Sequence, residues 1–139
     1  MCAYVQEQRP GDRPALWPPA SGLDGAESIN HCAEREFFEE TGAKASNIRL
    51  AYVQQDIDDR TNVAGFLFVV SDMEGTPAVQ GEGGWDSEWI GEFIWLGRDD
   101  LEDKRILPPF LIDRFFTDLE TGFESPIYLP RFLEHPAGL

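Results

Sequence analysis

The sequence is poor in cysteine, in basic residues and in long apolar runs, and each shortage narrows what the protein can be. Cysteine occurs twice, at Cys2 and Cys32, which is too few for a disulfide framework and predicts a reducing, cytoplasmic location. Lysine and arginine total 11 against 26 aspartates and glutamates, and this net charge of −15 excludes bulk attraction to nucleic acid or to an anionic membrane. The longest apolar run, residues 63–70, is far shorter than the roughly 18 residues of a membrane span. The sequence therefore predicts a soluble protein that would need a local positive charge to handle phosphates.

The 139 residues are enough for one domain with a single core and too few for two. Residue periodicity predicts a mixed β-sheet between helices. The first helix packs on the sheet through Ile29, Ala33 and Phe37, and the second carries an apolar stripe of Ile112, Phe115, Phe116 and Leu119. The predicted helices are Glu27–Thr41 and Pro109–Leu119, and the predicted strands are Met1–Val5, Ile48–Val53, Val63–Val70 and Phe93–Leu96.

Two connections in this scheme differ in character. The polar segment Gln54–Thr61 is predicted to join two strands. The longer stretch from Ser71 to about Trp89 is rich in glycine and acids, and its length suggests a binding loop or lid.

The first helix breaks its own amphipathic pattern in its second half. On a helical wheel, Glu36 and Glu40 lie within about 20° of the inward direction set by Ile29, and Glu39 lies within about 80°. Carboxylates at these spacings repel one another, and they stand near the wrong end of the helix dipole. A multivalent cation would relieve both penalties, and oxygen ligands favour Mg²⁺ or Mn²⁺ over Zn²⁺.

A plainer interpretation is that residues 34–40 form a solvated charged face. In that case Arg35 would pair with Glu39 four residues later, as in most charge runs on helices. Spacing alone does not separate the two interpretations.

The wider pattern of fixed residues favours the metal site. Glu27 is followed after seven residues by the run Arg35-Glu36-Phe37-Phe38-Glu39-Glu40-Thr41-Gly42. This pattern resembles the Nudix box of the Nudix hydrolases, although Ser21 stands where the box opens with glycine. The resemblance implies an α/β/α sandwich with a mixed β-sheet, formed by one domain over residues 1–139. By the same comparison the chain looks short of one N-terminal strand, so a partner chain or a missing segment would complete the sheet edge, which leaves a homodimer open.

The resemblance also implies roles for the motif residues. Glu36, Glu39 and Glu40 would be catalytic carboxylates that bind Mg²⁺ or Mn²⁺, Arg35 would orient a glutamate by hydrogen bonds, and Glu27 would support the loop and helix. The implied reaction is hydrolysis of the pyrophosphate bond in a small-molecule nucleotide, a nucleoside diphosphate linked to another group. The segments Gln8-Arg9-Pro10 and 19–24 look like those preceding the box in ADP-sugar pyrophosphatases, which favours ADP-ribose or a nucleotide-sugar as substrate.

Three further residues are candidates for substrate chemistry. Glu88 is the preferred acceptor for the proton of the attacking water, ahead of a box glutamate, Glu82 and Glu92. Trp85 could stack on a base or sugar, and Arg9 could clamp a phosphate. The alternative function is a Nudix-fold module that senses a nucleotide without turning it over, but such a module would be expected to lose one of the box glutamates.

Overall fold

The computed structural model describes residues 2–7, 15–17, 22–78 and 90–133 of the chain. Strands and helices alternate along these residues in the α/β pattern predicted above. No helix among them is long and apolar enough to cross a membrane. In chain order the elements are β1 (Cys2–Glu7), β2 (Ala15–Trp17), α1 (Ile29–Thr41), β3 (Lys44–Ile57), β4 (Asn62–Glu74), β5 (Ile90–Leu96), α2 (Phe110–Thr121) and β6 (Ile127–Phe132).

The described strands form two three-stranded sheets. One sheet has the order β2-β1-β5, with β1 antiparallel to both neighbours. The other has the order β4-β3-β6, and its central strand β3 is antiparallel to β4 and parallel to β6. This second sheet is therefore mixed, as predicted.

The hairpin of β3 and β4 is longer than predicted, because the first half of the polar segment Gln54–Thr61 belongs to β3. Pairing continues to the Ile57 and Asn62 register, which leaves only a turn at residues 58–61. In that turn the Asp58 carboxylate accepts the backbone N–H groups of Arg60 and Thr61, each at 2.6 Å. Strand pairing uses backbone groups, so polar side chains on β3 do not prevent it. At its other end β4 runs to Glu74, so the predicted loop also starts later than Ser71.

Strand β6 was not predicted, because Pro126 comes just before it and Pro130 lies within it. It lies parallel to β3 from the Tyr52 and Ile127 register to the Ile57 and Phe132 register. β6 is an edge strand in the described sheet, and edge strands tolerate proline. With β4 on one side and β6 on the other, β3 is paired along both edges. The expected absence of an N-terminal strand is a separate matter and stays a prediction.

The main core lies between α2 and the mixed sheet. Tyr52, Leu101 and Ile106 are each only 1% exposed there. The apolar stripe of α2 packs against this cluster, as predicted, through Ile112, Phe115 and Phe116. Leu119 is the exception, because it lies in the last turns of the helix and remains 38% exposed.

Helix α1 begins and ends at residues that the sequence marks. The Ser28 hydroxyl accepts the His31 backbone N–H at 3.1 Å, which caps the first turn. Gly42 has a φ of +71° and its N–H donates to the Phe38 carbonyl at 2.8 Å, which ends the helix. The helix starts two residues later than the predicted Glu27, whose side chain turns instead toward Arg35. Ile29, Ala33 and Phe37 are half-buried.

Candidate active site

The guanidinium of Arg35 is the centre of the polar contacts on α1. Nε and Nη2 donate to the two oxygens of Glu27, at 3.0 and 2.5 Å. Nη2 also donates to the Gly22 carbonyl at 3.3 Å. Nη1 donates to Glu36 Oε1 at 2.7 Å and to Glu39 Oε2 at 3.1 Å. These contacts use the five N–H donors of a guanidinium, so Arg35 fixes the carboxylates around it.

The pair of Arg35 and Glu27 ties the loop before α1 to the helix. Glu27 is 11% exposed and Arg35 is 22% exposed, so the contact is sheltered from water. Hydrogen bonds from Arg35, and then from the Asp24 backbone N–H at 2.7 Å, lower the pKa of Glu27 to about 2. The same contact raises the pKa of Arg35 above its ordinary value. Glu27 therefore stays ionised and holds the guanidinium in one orientation.

Cys32 and Gly22 belong to this arrangement, and sequence reasoning did not connect them. The Cys32 thiol donates to the Gly22 carbonyl at 3.4 Å, so it contacts the same oxygen as Arg35. Burial, and then the nearby Glu27, raises the pKa of the Cys32 thiol. A signal was available, because Cys32 precedes Arg35 by three residues and so lies on the same helix face.

Glu36 and Glu39 meet at a single nitrogen of Arg35. Glu36 is 12% exposed, whereas Glu39 is 52% exposed, in keeping with the wheel positions that put Glu36 nearer the inward direction. The i, i+4 contact of Arg35 with Glu39, which the charged-face interpretation predicts, is present. Glu40 is half-buried in the same turn. The helix thus brings two carboxylates together and puts a third beside them.

The charge of this cluster is not balanced within it. One guanidinium faces the carboxylates of Glu27, Glu36 and Glu39, which leaves about two negative charges before Glu40 is counted. Glu36 and Glu39 each give one oxygen to Arg35, and their second oxygens take no part in that contact. A hard divalent cation suits such oxygen donors and such a surplus of charge.

The carboxylates are not already arranged as a metal cage. Among the residues that the structure describes, no three His, Cys, Asp or Glu side chains form a group that could hold a metal ion as they stand. Arg35 Nη1 takes up the oxygens of Glu36 and Glu39 instead. The donor set fits a divalent ion, provided that at least one carboxylate turns away from the guanidinium.

The end of α1 also anchors the chain that leaves β4. The Ala78 N–H donates to the Thr41 carbonyl at 2.9 Å, and Thr41 is fully buried. Gly75 has a φ of +91°, and a Cβ at this position would lie 3.7 Å from the Ala43 Cα. Gly75 and Ala78 therefore lie beside the C-terminal end of the helix.

Three predicted site residues, Arg9, Trp85 and Glu88, lie outside the described residues. So do Ser21, at the first position of the box, and Glu82. Glu92 falls within β5. The roles of these residues stay predictions.

The chain belongs to the Nudix family, because the NUDIX domain matches it over residues 3–114. It is a Nudix hydrolase, of the pyrophosphohydrolase class that uses divalent metal ions. Strand β6 lies beyond the matched residues. No curated protein matches the chain at a significant level.

Solved structures show the same fold. The E. coli ORF135 protein superposes with a TM-score of 0.67 at 15% identity, covering 88% of this chain and 84% of its own. MutT from Bacillus halodurans gives 0.64 at 18% identity, covering 94% and 80%. A MutT structure from work on Aliivibrio salmonicida and Vibrio cholerae gives 0.60 at 16% identity, covering 85% of each chain. At these identities the likeness concerns the fold alone.

Proposed function

We propose that the protein hydrolyses the pyrophosphate bond of a nucleoside diphosphate linked to another group, with Mg²⁺ or Mn²⁺ as its metal. One observation carries the proposal. A single guanidinium gathers carboxylates from α1 and the loop before it, and it leaves them with a surplus of negative charge. Phosphate substrates are themselves anionic, so a protein with a net charge of −15 needs a cation at this point to accept them.

In this proposal Glu36, Glu39 and Glu40 hold the metal. When bound, the ion neutralises the pyrophosphate, stabilises the leaving phosphate and lowers the pKa of an attacking water. Arg35 and Glu27 hold the loop before α1 against the helix, because their two hydrogen bonds set the direction of the guanidinium. Arg35 then positions Glu36, which is the more sheltered of its two Nη1 partners.

Glu88 would accept the proton of the attacking water, Trp85 would stack on the substrate and Arg9 would clamp a phosphate. Support for Glu88 and Trp85 comes from their place in the sequence. They lie between Ala78, which is bonded to Thr41 at the end of α1, and Ile90, the first residue of β5. Ala78, at one end of this segment, is thus held at the C-terminal end of α1, the helix whose glutamates would hold the metal.

ADP-ribose or a nucleotide-sugar is the proposed substrate. Its support is the sequence likeness of residues 8–10 and 19–24 to the ADP-sugar pyrophosphatases. A cytoplasmic location and a homodimer stay predictions from the sequence.

A substrate panel tests this function. Nucleotide-sugars including ADP-ribose, dinucleoside polyphosphates and nucleoside triphosphates would each be incubated with the protein and Mg²⁺, and the products separated by ion-exchange chromatography. We expect a nucleoside monophosphate and a phosphorylated remainder from ADP-ribose or a nucleotide-sugar. Glu36→Gln should abolish most of this activity, whereas Asp118→Asn on α2 should retain it. Tight nucleotide binding without any product would instead indicate a sensing module.

A further inference from the structure

Arg35 Nη1 holds two carboxylates that differ in how firmly they are held. Its contact with Glu36 is 2.7 Å long, and that side chain is 12% exposed. Its contact with Glu39 is 3.1 Å long, and that side chain is 52% exposed. An exposed ion pair at i, i+4 is among the weakest in proteins, whereas the sheltered two-point contact with Glu27 is of a strong type. Glu39 is therefore the partner that Arg35 loses most easily.

We propose that Glu39 is an exchangeable partner of Arg35, bound to Nη1 in the metal-free protein and transferred to the divalent cation when it binds. The inference rests on the proposed function, because it takes Glu39 as a metal ligand. Glu27 and Glu36 stay on the guanidinium throughout. Glu36 can contact the guanidinium and the divalent cation at the same time, since Arg35 uses only its Oε1.

The charge of the cluster allows this exchange. Arg35 faces three carboxylates, so it keeps two after Glu39 leaves and is never without a counter-ion. In the metal-free protein the guanidinium offsets part of the repulsion among the acids on α1. The consequence is competition, because Arg35 and the metal use the same carboxylate. Arg35 thus lowers the affinity of the site for the metal, and it reduces the repulsion among the carboxylates when no metal is bound.

The other helix supplies a matched pair that should not exchange. Arg114 and Asp118 on α2 also stand at i, i+4, with an Nε to Oδ2 distance of 2.6 Å. Asp118 is only 14% exposed and accepts a second hydrogen bond from the Tyr52 hydroxyl at 2.7 Å. Arg114→Lys is therefore a control for the loss of a guanidinium from a helix.

Calorimetric titration with Mn²⁺ tests the exchange. Arg35→Lys keeps the positive charge, but one ammonium cannot serve both Glu27 and Glu39, so Glu39 is released. We expect Mn²⁺ to bind roughly two- to fivefold tighter to Arg35→Lys than to the wild type, as the loss of a weak competing pair would allow. In a Glu39→Gln background the same substitution should no longer tighten Mn²⁺ binding, because no Glu39 carboxylate is left to release, and Arg114→Lys should change Mn²⁺ affinity less than about 1.5-fold.

Weaker or unchanged Mn²⁺ binding by Arg35→Lys would overturn the inference while leaving the proposed metal site in place. Failure of the wild type to bind Mn²⁺ at all would remove the proposed function itself. A crystal structure of the wild type with Mn²⁺ needs no substitution and gives a second test. We expect Glu39 on the ion and out of hydrogen-bond reach of Arg35, with Glu27 and Glu36 still bonded to it. Glu39 still bonded to Arg35 beside a bound ion would contradict the exchange.

Discussion

The two helices carry the same local motif with different surroundings. Each has an arginine followed four residues later by an acid, namely Arg35 with Glu39 on α1 and Arg114 with Asp118 on α2. Each also ends at a glycine with positive φ, +71° at Gly42 and +84° at Gly122. Only α1 belongs to the candidate active site.

The difference lies in the balance of charge around each arginine. On α2 one arginine meets one acid, and Asp118 is further satisfied by the buried Tyr52 hydroxyl. Arg114 lowers the pKa of Asp118, and burial followed by Asp118 raises the pKa of Tyr52. On α1 one arginine meets three carboxylates. A balanced pair stabilises the fold, whereas an unbalanced cluster is available for a further cation.

The largest expected effect is on catalysis and is confined to α1. Glu40→Gln keeps the shape of the side chain but removes a charge from the proposed metal site. We expect kcat to fall by roughly 10²–10⁴, equivalent to about 3–5 kcal/mol of transition-state stabilisation. Steady-state hydrolysis of the best panel substrate at saturating Mg²⁺ measures it, with Asp118→Asn as the control on α2. An unchanged kcat in Glu40→Gln would show that another carboxylate holds the metal.

The second effect is on stability and concerns the contact between β3 and α2. Tyr52→Phe removes the hydroxyl that donates to Asp118 without changing the ring packed near Phe110 and Phe123. Because the acceptor is charged and the hydroxyl is buried, we expect the free energy of unfolding to fall by about 1.5–3 kcal/mol. Urea unfolding measures it. A large loss of kcat in this variant, with stability preserved, would mean that α2 takes part in the chemistry.

A third prediction concerns the stability of the protein at acid pH and the contact of Glu27 with Arg35. The pKa of Glu27 is about 2 in the folded protein and near its ordinary 4.5 when unfolded, so the folded state favours the ionised form. Its contribution to stability is complete above pH 4.5 and is lost as pH falls from there toward 2. The melting temperature should therefore drop less over this range in Glu27→Gln than in the wild type. If the melting temperatures of the two proteins fall in parallel with pH, the contact of Glu27 with Arg35 does not contribute to stability as predicted.

The smallest effect is expected at a pair outside both clusters. Arg98 contacts Glu120, and their side chains are 52% and 70% exposed. Exposed pairs contribute little, so Arg98→Gln should change the free energy of unfolding by less than about 1 kcal/mol and leave kcat unchanged. Urea unfolding of Arg98→Gln and Tyr52→Phe under the same conditions compares the two losses of unfolding free energy. A loss as large as that of Tyr52→Phe would show that exposure is a poor guide to the strength of these pairs.

Local sequence signals predicted much of α1 and little of the contacts around α2. Ser28 and Gly42 mark the ends of α1, and the spacing of the glutamates predicts both their position and the Arg35 contact. Tyr52 and Asp118 are 66 residues apart, so no local pattern could pair them. Strand β6 was missed because Pro130 interrupts its pattern and because it pairs with β3, which is distant in sequence.

The central claim is that a divalent cation binds at the glutamates of α1. Calorimetric titration with Mn²⁺ of the wild type, of a Glu39→Gln, Glu40→Gln double variant and of Asp118→Asn tests it most directly. We predict that the wild type and Asp118→Asn bind Mn²⁺ with the same affinity and that the double variant loses this binding, because two of its ligands are neutral. Unchanged Mn²⁺ binding in the double variant would contradict the claim and put the metal elsewhere.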